Sequence, residues 1–434
     1  MILDKILRKL NDFDDVVLSC SKNNSRQIKF ADNEIVKTAV EETSNIYVFV
    51  SKDKKIITTT LKETDDKTLD KTVMMLKKML NKVKAKEDYN GINYKKYKFG
   101  DVKDGYDKKI KDIDDIDYVE KGINAALKEG AKRTNGIFEV HDSEGEILTS
   151  KGINFKDRNS ELYFSIRSFA NNDESGHMNC VGRILNGFDV EKTGKISGEI
   201  ARDANGVVNG AKGKYDVIFS PLAIAPILNS IGDAASIFSV ESGMSFFENK
   251  IGKKISDVNI YDDGTLRNGL GSVKADLEGV SSKKTVLISE GMFKTYLHNY
   301  STAKKYGVES TGNAGLISPH PWNVVIEKGD YDLNEMIGDV KNGLLVTNVW
   351  YTRFADYHNG DFSTIPRDGC FRIKNGKIIG SWKGIRISEN VLNILKNISK
   401  LGKEVQHLRS WEADIPISSP HVLVKDCKIT IPTQ

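Results

Sequence analysis

The stretch Tyr215–Gly264, YDVIFSPLAIAPILNSIGDAASIFSVESGMSFFENKIGKKISDVNIYDDG, decides how the rest of the chain is interpreted. It opens with a short apolar run, residues 215–219, that predicts a buried β-strand. Ser220 and Pro221 follow; serine is a favoured helix N-cap, and proline suits the first helical position. We therefore expect a helix from Pro221 to about Ala235. Because this helix is apolar on nearly all sides, we expect it to lie inside a core or an interface.

Four short motifs follow the predicted helix. They are DDGTL at residues 262–266, DLEG at 276–279, STGNAG at 310–315 and GDYDLNEMI at 329–337. Each motif alone is weak, whereas their order and spacing together are specific. With the helix, they make the chain resemble the TldD/PmbA family, the subunits of the TldD–TldE metalloprotease. The resemblance covers almost the whole chain, more loosely before residue 190.

The resemblance directs attention to three positions on the helix. Catalytic TldD-type subunits carry His-Glu-x-x-x-His there, which supplies two zinc ligands and a general base. The matching residues in this chain are Asn229, Ser230 and Ala234. An amide is a poor zinc ligand, a hydroxyl is a poor base near neutral pH, and a methyl group is neither. We interpret these positions as a degenerate motif without catalytic or metal-binding residues.

Neighbouring sequence offers no substitute for the missing ligands. No histidine occurs from residue 178 to residue 297, so a small shift of the alignment does not restore the motif. The catalytic subunits take their third ligand from a cysteine near the C-terminus, and the matching region, residues 405–422, contains none. The chain therefore resembles the TldE/PmbA type. We expect no cofactor in this chain and zinc in a catalytic partner.

This resemblance implies a non-catalytic subunit that forms a heterodimer with a TldD-type chain and completes a chamber where unfolded peptides are degraded. The alternative is a stand-alone homodimeric peptide-binding protein without protease activity. The apolar helix and the segment Gly243–Phe247 carry more apolar surface than one short strand can cover, which favours association in either case. A third and weaker hypothesis is an enzyme that uses His358 and its acidic neighbours.

Composition sets limits on the other classes of function. The 434 residues are 39% hydrophobic and 29% charged, with a formal net charge of +4, which is typical of a soluble globular protein. Acidic residues run through the lysine-rich region 67–109, so it predicts a solvated face and no nucleic-acid binding. The charged N-terminal segment does not resemble a signal peptide, and no stretch is apolar enough to span a membrane. Four scattered cysteines fit a reducing compartment, so we expect a cytoplasmic protein.

The apolar periodicity predicts an α+β fold. Helical spacing marks residues 2–13 and 66–84, four strand-type runs lie between them, and residues 137–148 predict a hairpin that turns at Glu144-Gly145. After the central helix the strands are short and numerous, and Asn375-Gly376 is a strong hairpin signal. We expect an N-terminal sheet-and-helix half followed by a strand-rich, barrel-like C-terminal domain. The predicted divisions are an N-terminal α+β domain at 1–86, a central α/β region at 87–210, and a metalloprotease-like domain at 211–434.

Three further groups of residues are candidates for function. In the STGNAG stretch, Thr311, Gly312 and Asn313 are possible contacts to a peptide, because the resemblance places this loop near the cleft of the C-terminal domain. Asp276 and Glu278 share one face if they lie on a strand, which permits an acid/base pair or peptide contact, although a charged strand end is the simpler interpretation. Asp356, His358 and Asp361 offer carboxylate and imidazole groups for a metal, with a polar loop as the favoured alternative.

Overall fold

The computed structural model describes residues 2–172 and 174–431. Its N-terminal half is built from a long-stranded sheet covered by helices. The helices are α1 (Ile2–Lys9), α2 (Asp66–Leu80), α3 (Asp115–Lys128) and α4 (Val190–Asp203), with a 3-10 turn at Lys108–Lys111. The strands are β1 (Asp15–Ala31), β2 (Glu34–Lys52), β3 (Lys55–Leu61), β4 (Arg133–Thr149), β5 (Asn154–Phe169) and β6 (Ser175–Gly182).

The six strands form one antiparallel sheet in the order β3-β2-β1-β4-β5-β6. The predicted hairpin at Glu144-Gly145 is wrong, because β4 continues through both residues as one strand of 17 residues. Gly145 pairs with Ser21 of β1 on one side and with Asp157 of β5 on the other. Pairing on both sides satisfies the backbone groups of this glycine, which outweighs its weak preference for strands.

Helices cover the sheet in two separate apolar clusters. One cluster joins α1 and α2 to the strands through side chains such as Leu3, Leu18 and Leu76. The other joins α3 to the sheet through Ile123, Phe138 and neighbouring aromatic residues. The sheet itself runs across the predicted division between residues 86 and 87, since β4, β5 and β6 extend the sheet begun by β1. The division into domains stays a prediction.

The C-terminal half contains many short strands around one central helix. Its helices are α5 (Pro221–Ala235), α6 (Ile237–Glu241), α7 (Tyr300–Tyr306), α8 (Leu333–Gly338) and α9 (Val391–Lys396). Its strands are β7 (Val208–Asn209), β8 (Gly213–Phe219), β9 (Ile260–Asp263), β10 (Lys284–Ser289), β11 (Met292–Phe293), β12 (Val324–Ile326), β13 (Asn342–Asp356), β14 (Asp361–Lys374), β15 (Lys377–Lys383), β16 (Arg386–Asn390), β17 (Ile398–Leu401), β18 (Gln406–Ser410), β19 (Ala413–Ser419) and β20 (Val422–Thr430).

Five of these strands close into a barrel. β13 pairs with β8, β8 with β20, β20 with β16, β16 with β14, and β14 returns to β13. The hairpin between β14 and β15 turns at Asn375-Gly376, where both residues have positive φ angles, as predicted. The predicted α+β fold with a barrel-like C-terminal half is confirmed.

A second sheet, ordered β11-β10-β9-β12-β19-β18, lies on the other side of α5. The helix is therefore held between the barrel and this sheet, and most of its side chains are fully buried. The expectation that α5 lies in a core or an interface is confirmed, and Phe246 and Phe247 belong to the same core. The chain itself therefore covers this apolar surface, and of the segment 243–247 the large side chain left exposed is Met244. Across the described ranges, none of the helices is long and apolar enough to cross a membrane.

Candidate functional site

The central helix begins and ends where its sequence predicts. The Ser220 hydroxyl oxygen accepts a hydrogen bond from the backbone N–H of Ala223 at 3.3 Å, and Pro221 occupies the first turn. The same hydroxyl donates to the carbonyl of Thr347 on β13 at 2.6 Å. One serine therefore caps α5 and ties it to the barrel, which fixes the position of every later residue on the helix.

Asn229 connects the outer part of α5 to the second sheet. Its side-chain oxygen accepts a hydrogen bond from the backbone N–H of Ile415 on β19 at 2.9 Å. Its amide nitrogen donates to the carboxylate of Asp233, one turn further along the helix, at 2.8 Å. We call this arrangement of Asn229, Asp233 and Ile415 the amide clamp. It commits both polar atoms of the asparagine to structural contacts.

The residues at the other two motif positions, Ser230 and Ala234, also make structural contacts. Ser230 donates its hydroxyl hydrogen to the carbonyl of Ile227 at 2.7 Å. Ala234 is buried, and its carbonyl accepts a hydrogen bond from the Ser245 hydroxyl at 2.6 Å. An amide in use, a hydroxyl bonded to its own helix and a methyl group do not supply the nitrogen, sulfur or carboxylate ligands of zinc. The residues at this position therefore do not fit a zinc ion.

Asp233 is the one ionisable residue of the amide clamp. It is an exposed residue, yet many protein atoms surround its carboxyl group. This partial desolvation and the nearby carboxylate of Asp414 raise the pKa of Asp233 to about 6, while the Asn229 amide acts in the opposite direction. The sequence did not single out Asp233 or the strand that carries Ile415. Only the i, i+4 spacing of Asn229 and Asp233 was visible in advance.

The STGNAG loop is held by its own hydrogen bonds. The Thr311 hydroxyl accepts from the backbone N–H of His298 at 2.8 Å and donates to the carbonyl of the same residue at 3.0 Å. Gly312 has a φ angle of +73°, which a residue with a side chain rarely adopts. Asn313 donates to Asp262 at 2.7 Å and to the carbonyl of His320 at 2.9 Å. The role of these three residues as peptide contacts stays a prediction.

Asp276 and Glu278 lie in a buried turn and do not form a charged strand end. Asp276 accepts hydrogen bonds from the backbone N–H groups of Glu278, Val280 and Ala314 at 2.8–3.0 Å. Glu278 accepts one from the N–H of Tyr300 at 3.0 Å. Burial raises the pKa of Asp276 to about 7 and that of Glu278 well above its ordinary value. Their predicted role as cleft contacts is untested, and every named bond points to a structural one.

The His358 neighbourhood does not converge on one point. The Asp356 carboxylate accepts hydrogen bonds from the backbone and side chain of Asn359, and Asp361 accepts one from Asn390. The exposed ring of His358 lies 3.4 Å from the carboxylate of Glu248. Within residues 2–172 and 174–431, no three His, Cys, Asp or Glu side chains are grouped so as to hold a metal ion. The polar-loop interpretation accounts for these contacts.

Comparisons with known proteins agree with one another. The profile of the PmbA/TldA metallopeptidase C-terminal domain matches residues 212–431. A metalloprotease of Methanothermobacter thermautotrophicus is 29% identical over 332 residues, which cover 72% of each chain. A metalloprotease TldD homolog of Buchnera aphidicola is 32% identical over 172 residues, 38% of this chain and 35% of that protein. TldE from Thermococcus kodakarensis has the same fold, with a TM-score of 0.87 at 24% identity over 99% of this chain and 100% of that chain.

Proposed function

The chain belongs to the TldD/PmbA metallopeptidase family, and we propose that it is a TldE/PmbA-type subunit that works in proteolysis with a TldD-type catalytic chain. The amide clamp carries this proposal. Relatives named as metalloproteases and as TldD match the chain, so the type of subunit has to be argued from the helix residues. Asn229, Ser230 and Ala234 bring neither zinc ligands nor a base, and their polar atoms already stabilise the fold.

In this proposal the two subunits divide the work. The catalytic partner brings zinc and the general base, and this chain completes the chamber in which an unfolded peptide is held. A peptide that adds as an extra strand gains its affinity from main-chain hydrogen bonds, which tolerate many sequences. The support for association is family membership, since α5, Phe246 and Phe247 are buried within the chain.

Reconstitution with a TldD-type homologue tests the division of work. The chain is purified alone and together with the homologue, and zinc content, mass by light scattering and cleavage of an unfolded peptide are measured. We expect the chain alone to hold no stoichiometric zinc and to cleave nothing. The mixture should form a heterodimer that cleaves the peptide. The control is the same mixture with both motif histidines of the homologue changed to alanine, which should assemble without activity.

Two results contradict the proposal. One is zinc near one atom per chain in the protein alone, removed by chelation with loss of structure or activity. The other is a failure to associate with the homologue. A homodimer that persists in both samples and binds peptide without cleavage supports the stand-alone binding protein instead.

A further inference from the structure

A cleft separates α4 of the N-terminal half from the outer surface of the barrel. Its volume is about 680 Å³, within the roughly 300–1,000 Å³ of sites that hold small ligands. It lies beyond the N-terminal end of α5, whereas the amide clamp is near the other end. The cleft continues into a second recess of about 400 Å³ through four shared lining residues, namely Leu333, Asn334, Glu404 and His421.

Aliphatic side chains from two helices form the walls of this cleft. Ile196 and Ile200 lie one turn apart on α4, and Leu333 and Ile337 lie one turn apart on α8. Leu345 and Phe371 of the barrel also line it. Ile200, Leu333 and Ile337 are only partly buried, so the chain itself leaves this apolar surface incompletely covered. An apolar ligand that enters the cleft gains free energy by removing this surface from water.

The far end of the cleft carries polar groups that the fold does not use. Among the described residues, the side chains of Asn334, Glu404 and His421 make no hydrogen bond or ion pair. By contrast, Glu199 lies 3.8 Å from Lys195, and Asp203 accepts a hydrogen bond from Arg202. Burial lowers the pKa of His421 to about 4, so its imidazole is neutral near pH 7. In the adjoining recess Lys403 pairs with Asp332 at 2.8 Å, and Glu335 accepts a hydrogen bond from the backbone N–H of Asp332. Among the described residues at this end, Glu404 is the carboxylate with neither kind of bond.

We propose that this cleft binds a short peptide segment in which aliphatic side chains flank one basic side chain. The aliphatic groups pack between α4 and α8, and the cation meets the carboxylate of Glu404. The charges of the lining support this choice. The acidic residues are Glu199, Asp203 and Glu404 of the cleft and Asp332 and Glu335 of the adjoining recess, against the basic Lys192 and Lys403. Asn334 and His421 provide further hydrogen-bonding atoms for the peptide backbone. The proposal concerns this chain alone and does not rest on the proposed catalytic partnership.

Fluorescence anisotropy with labelled pentapeptides on the purified chain tests the proposal. The main probe is fluorescein-labelled Leu-Ile-Lys-Leu-Ile amide. One comparison peptide replaces lysine with glutamate, and the other replaces the four aliphatic residues with serine. We expect saturable binding of the main probe. The affinity of either comparison peptide should be lower by a factor of about ten or more. A charge-assisted hydrogen bond or several buried aliphatic groups are each enough for a factor of this size.

Two variants locate the binding site within the molecule. Glu404→Gln removes the charge at an exposed position and should weaken binding of the lysine peptide about tenfold. Ile196→Trp fills the cleft with an apolar side chain and should abolish binding. Their matched controls are Glu42→Gln, an exposed carboxylate on β2, and Ile116→Trp, an exposed position on α3. Both controls should bind the lysine peptide as the unchanged protein does.

Three outcomes overturn the proposal. They are no saturable binding of the lysine peptide, equal binding of the glutamate peptide, and unchanged affinity in both Glu404→Gln and Ile196→Trp. Circular dichroism shows whether each variant is folded. If Ile196→Trp is unfolded, Glu404→Gln still decides the question, because the Glu404 side chain is exposed and makes no hydrogen bond or ion pair within the described ranges. Failure of the heterodimer experiment leaves these measurements unaffected.

Discussion

Two polar regions of the C-terminal half differ in a way that the sequence hides. The buried carboxylate network, Asp262, Asp276 and Glu278, contains the residue types expected of an acid/base site, yet it lies inside the fold. The amide clamp contains no strong acid/base pair, yet its Asn229 stands at a helix position that the resemblance matches to the motif of TldD-type subunits. Asp262 and Asp276 each accept backbone N–H groups, and burial raises the pKa of each to about 7.

The difference shows why residue type alone is a poor guide to chemistry. A carboxylate that accepts two or three backbone N–H groups substitutes for missing secondary structure, because a buried turn leaves those donors without partners. An asparagine on a helix exposes the same kinds of atoms that a backbone does, so it bonds a neighbouring strand equally well. The buried carboxylates therefore stabilise loops. The amide clamp holds the end of the helix against a strand and offers no reactive group.

The largest effect is expected for Asp276→Ala. The change leaves the backbone N–H groups of Glu278, Val280 and Ala314 without an acceptor in a buried turn. At roughly 1–3 kcal/mol for each unsatisfied donor, the free energy of unfolding should fall by more than about 3 kcal/mol in urea denaturation. The control is Asp330→Ala, an exposed aspartate, which should change stability by less than about 0.5 kcal/mol. Equal stabilities in the two variants contradict a structural role for Asp276.

Introducing the His-Glu-x-x-x-His motif should lower the stability of the protein without giving it peptidase activity. In the triple variant Asn229→His, Ser230→Glu, Ala234→His, the buried alanine position receives a larger polar ring, and Ile415 loses the acceptor of its N–H. We expect a loss of about 2–3 kcal/mol in the free energy of unfolding, together with weak zinc binding and no peptide cleavage. A catalytic zinc site needs a third protein ligand, and residues 405–422 provide no thiolate.

Calorimetric zinc titration and peptide hydrolysis by the triple variant alone check this prediction. The matched control is the single variant Ala234→His, which carries the same bulky ring without the other two groups. Zinc-dependent cleavage by the triple variant contradicts the claim that more than the helix motif is missing.

Local signals in the sequence were sufficient for the central helix. A serine cap, a proline in the first turn and a continuous apolar run predicted α5 from Pro221 to Ala235, and the structure has the same bounds. The Asn375-Gly376 turn was equally clear, because both residues need positive φ angles that asparagine and glycine adopt readily. In these cases a few adjacent residues contain all the physical causes, so a single sequence is enough.

Local sequence signals do not predict which strands pair when they lie far apart in the chain. Polar residues in the middle of β1 and β2, including Asn24 and Ser25, lack the alternation of a strand, yet these strands extend over 17 and 19 residues because neighbours pair along their length. The same limit applies to the site. Asn229 accepts its hydrogen bond from the backbone N–H of Ile415, 186 residues further along the chain. Every residue except proline carries such a donor, so the sequence does not show which one Asn229 binds.

A smaller effect should appear in the pH dependence of stability. Burial, with Asp276 nearby, raises the pKa of Glu278, whereas the same group ionises near pH 4.5 in the unfolded chain. Between these two pKa values the folded protein keeps a proton that the unfolded chain releases, so stability falls as pH rises through this window. Glu278→Gln removes this titration and still accepts the N–H of Tyr300 through its amide oxygen.

Urea denaturation at about pH 5 and about pH 8 measures the effect. The unchanged protein should lose more stability across this interval than Glu278→Gln does. Asp262 titrates in both proteins, whereas Asp276 interacts directly with Glu278, so the difference between the two pH dependences reports the titration of the Asp276–Glu278 pair. Parallel pH dependences contradict the assignment of a raised pKa to this residue.

The smallest effect is expected for Asn229→Ala. The change removes one hydrogen bond to Ile415 and one to Asp233 at the partly exposed end of α5, where water can replace lost partners. The free energy of unfolding should fall by about 1 kcal/mol, and the pKa of Asp233 should rise further because the amide that lowers it is gone.

A double-mutant cycle with Asp233→Ala separates the two bonds, since only the helical one depends on Asp233. Carboxyl chemical shifts measured during a pH titration report the pKa of Asp233 directly. If the pKa of Asp233 falls in Asn229→Ala, or if the cycle shows no coupling, the amide clamp does not hold these residues as the geometry requires. If Asn229→Ala lowers the stability and raises the pKa of Asp233 but still associates with the TldD-type homologue, the clamp stabilises the helix end and takes no part in binding the partner.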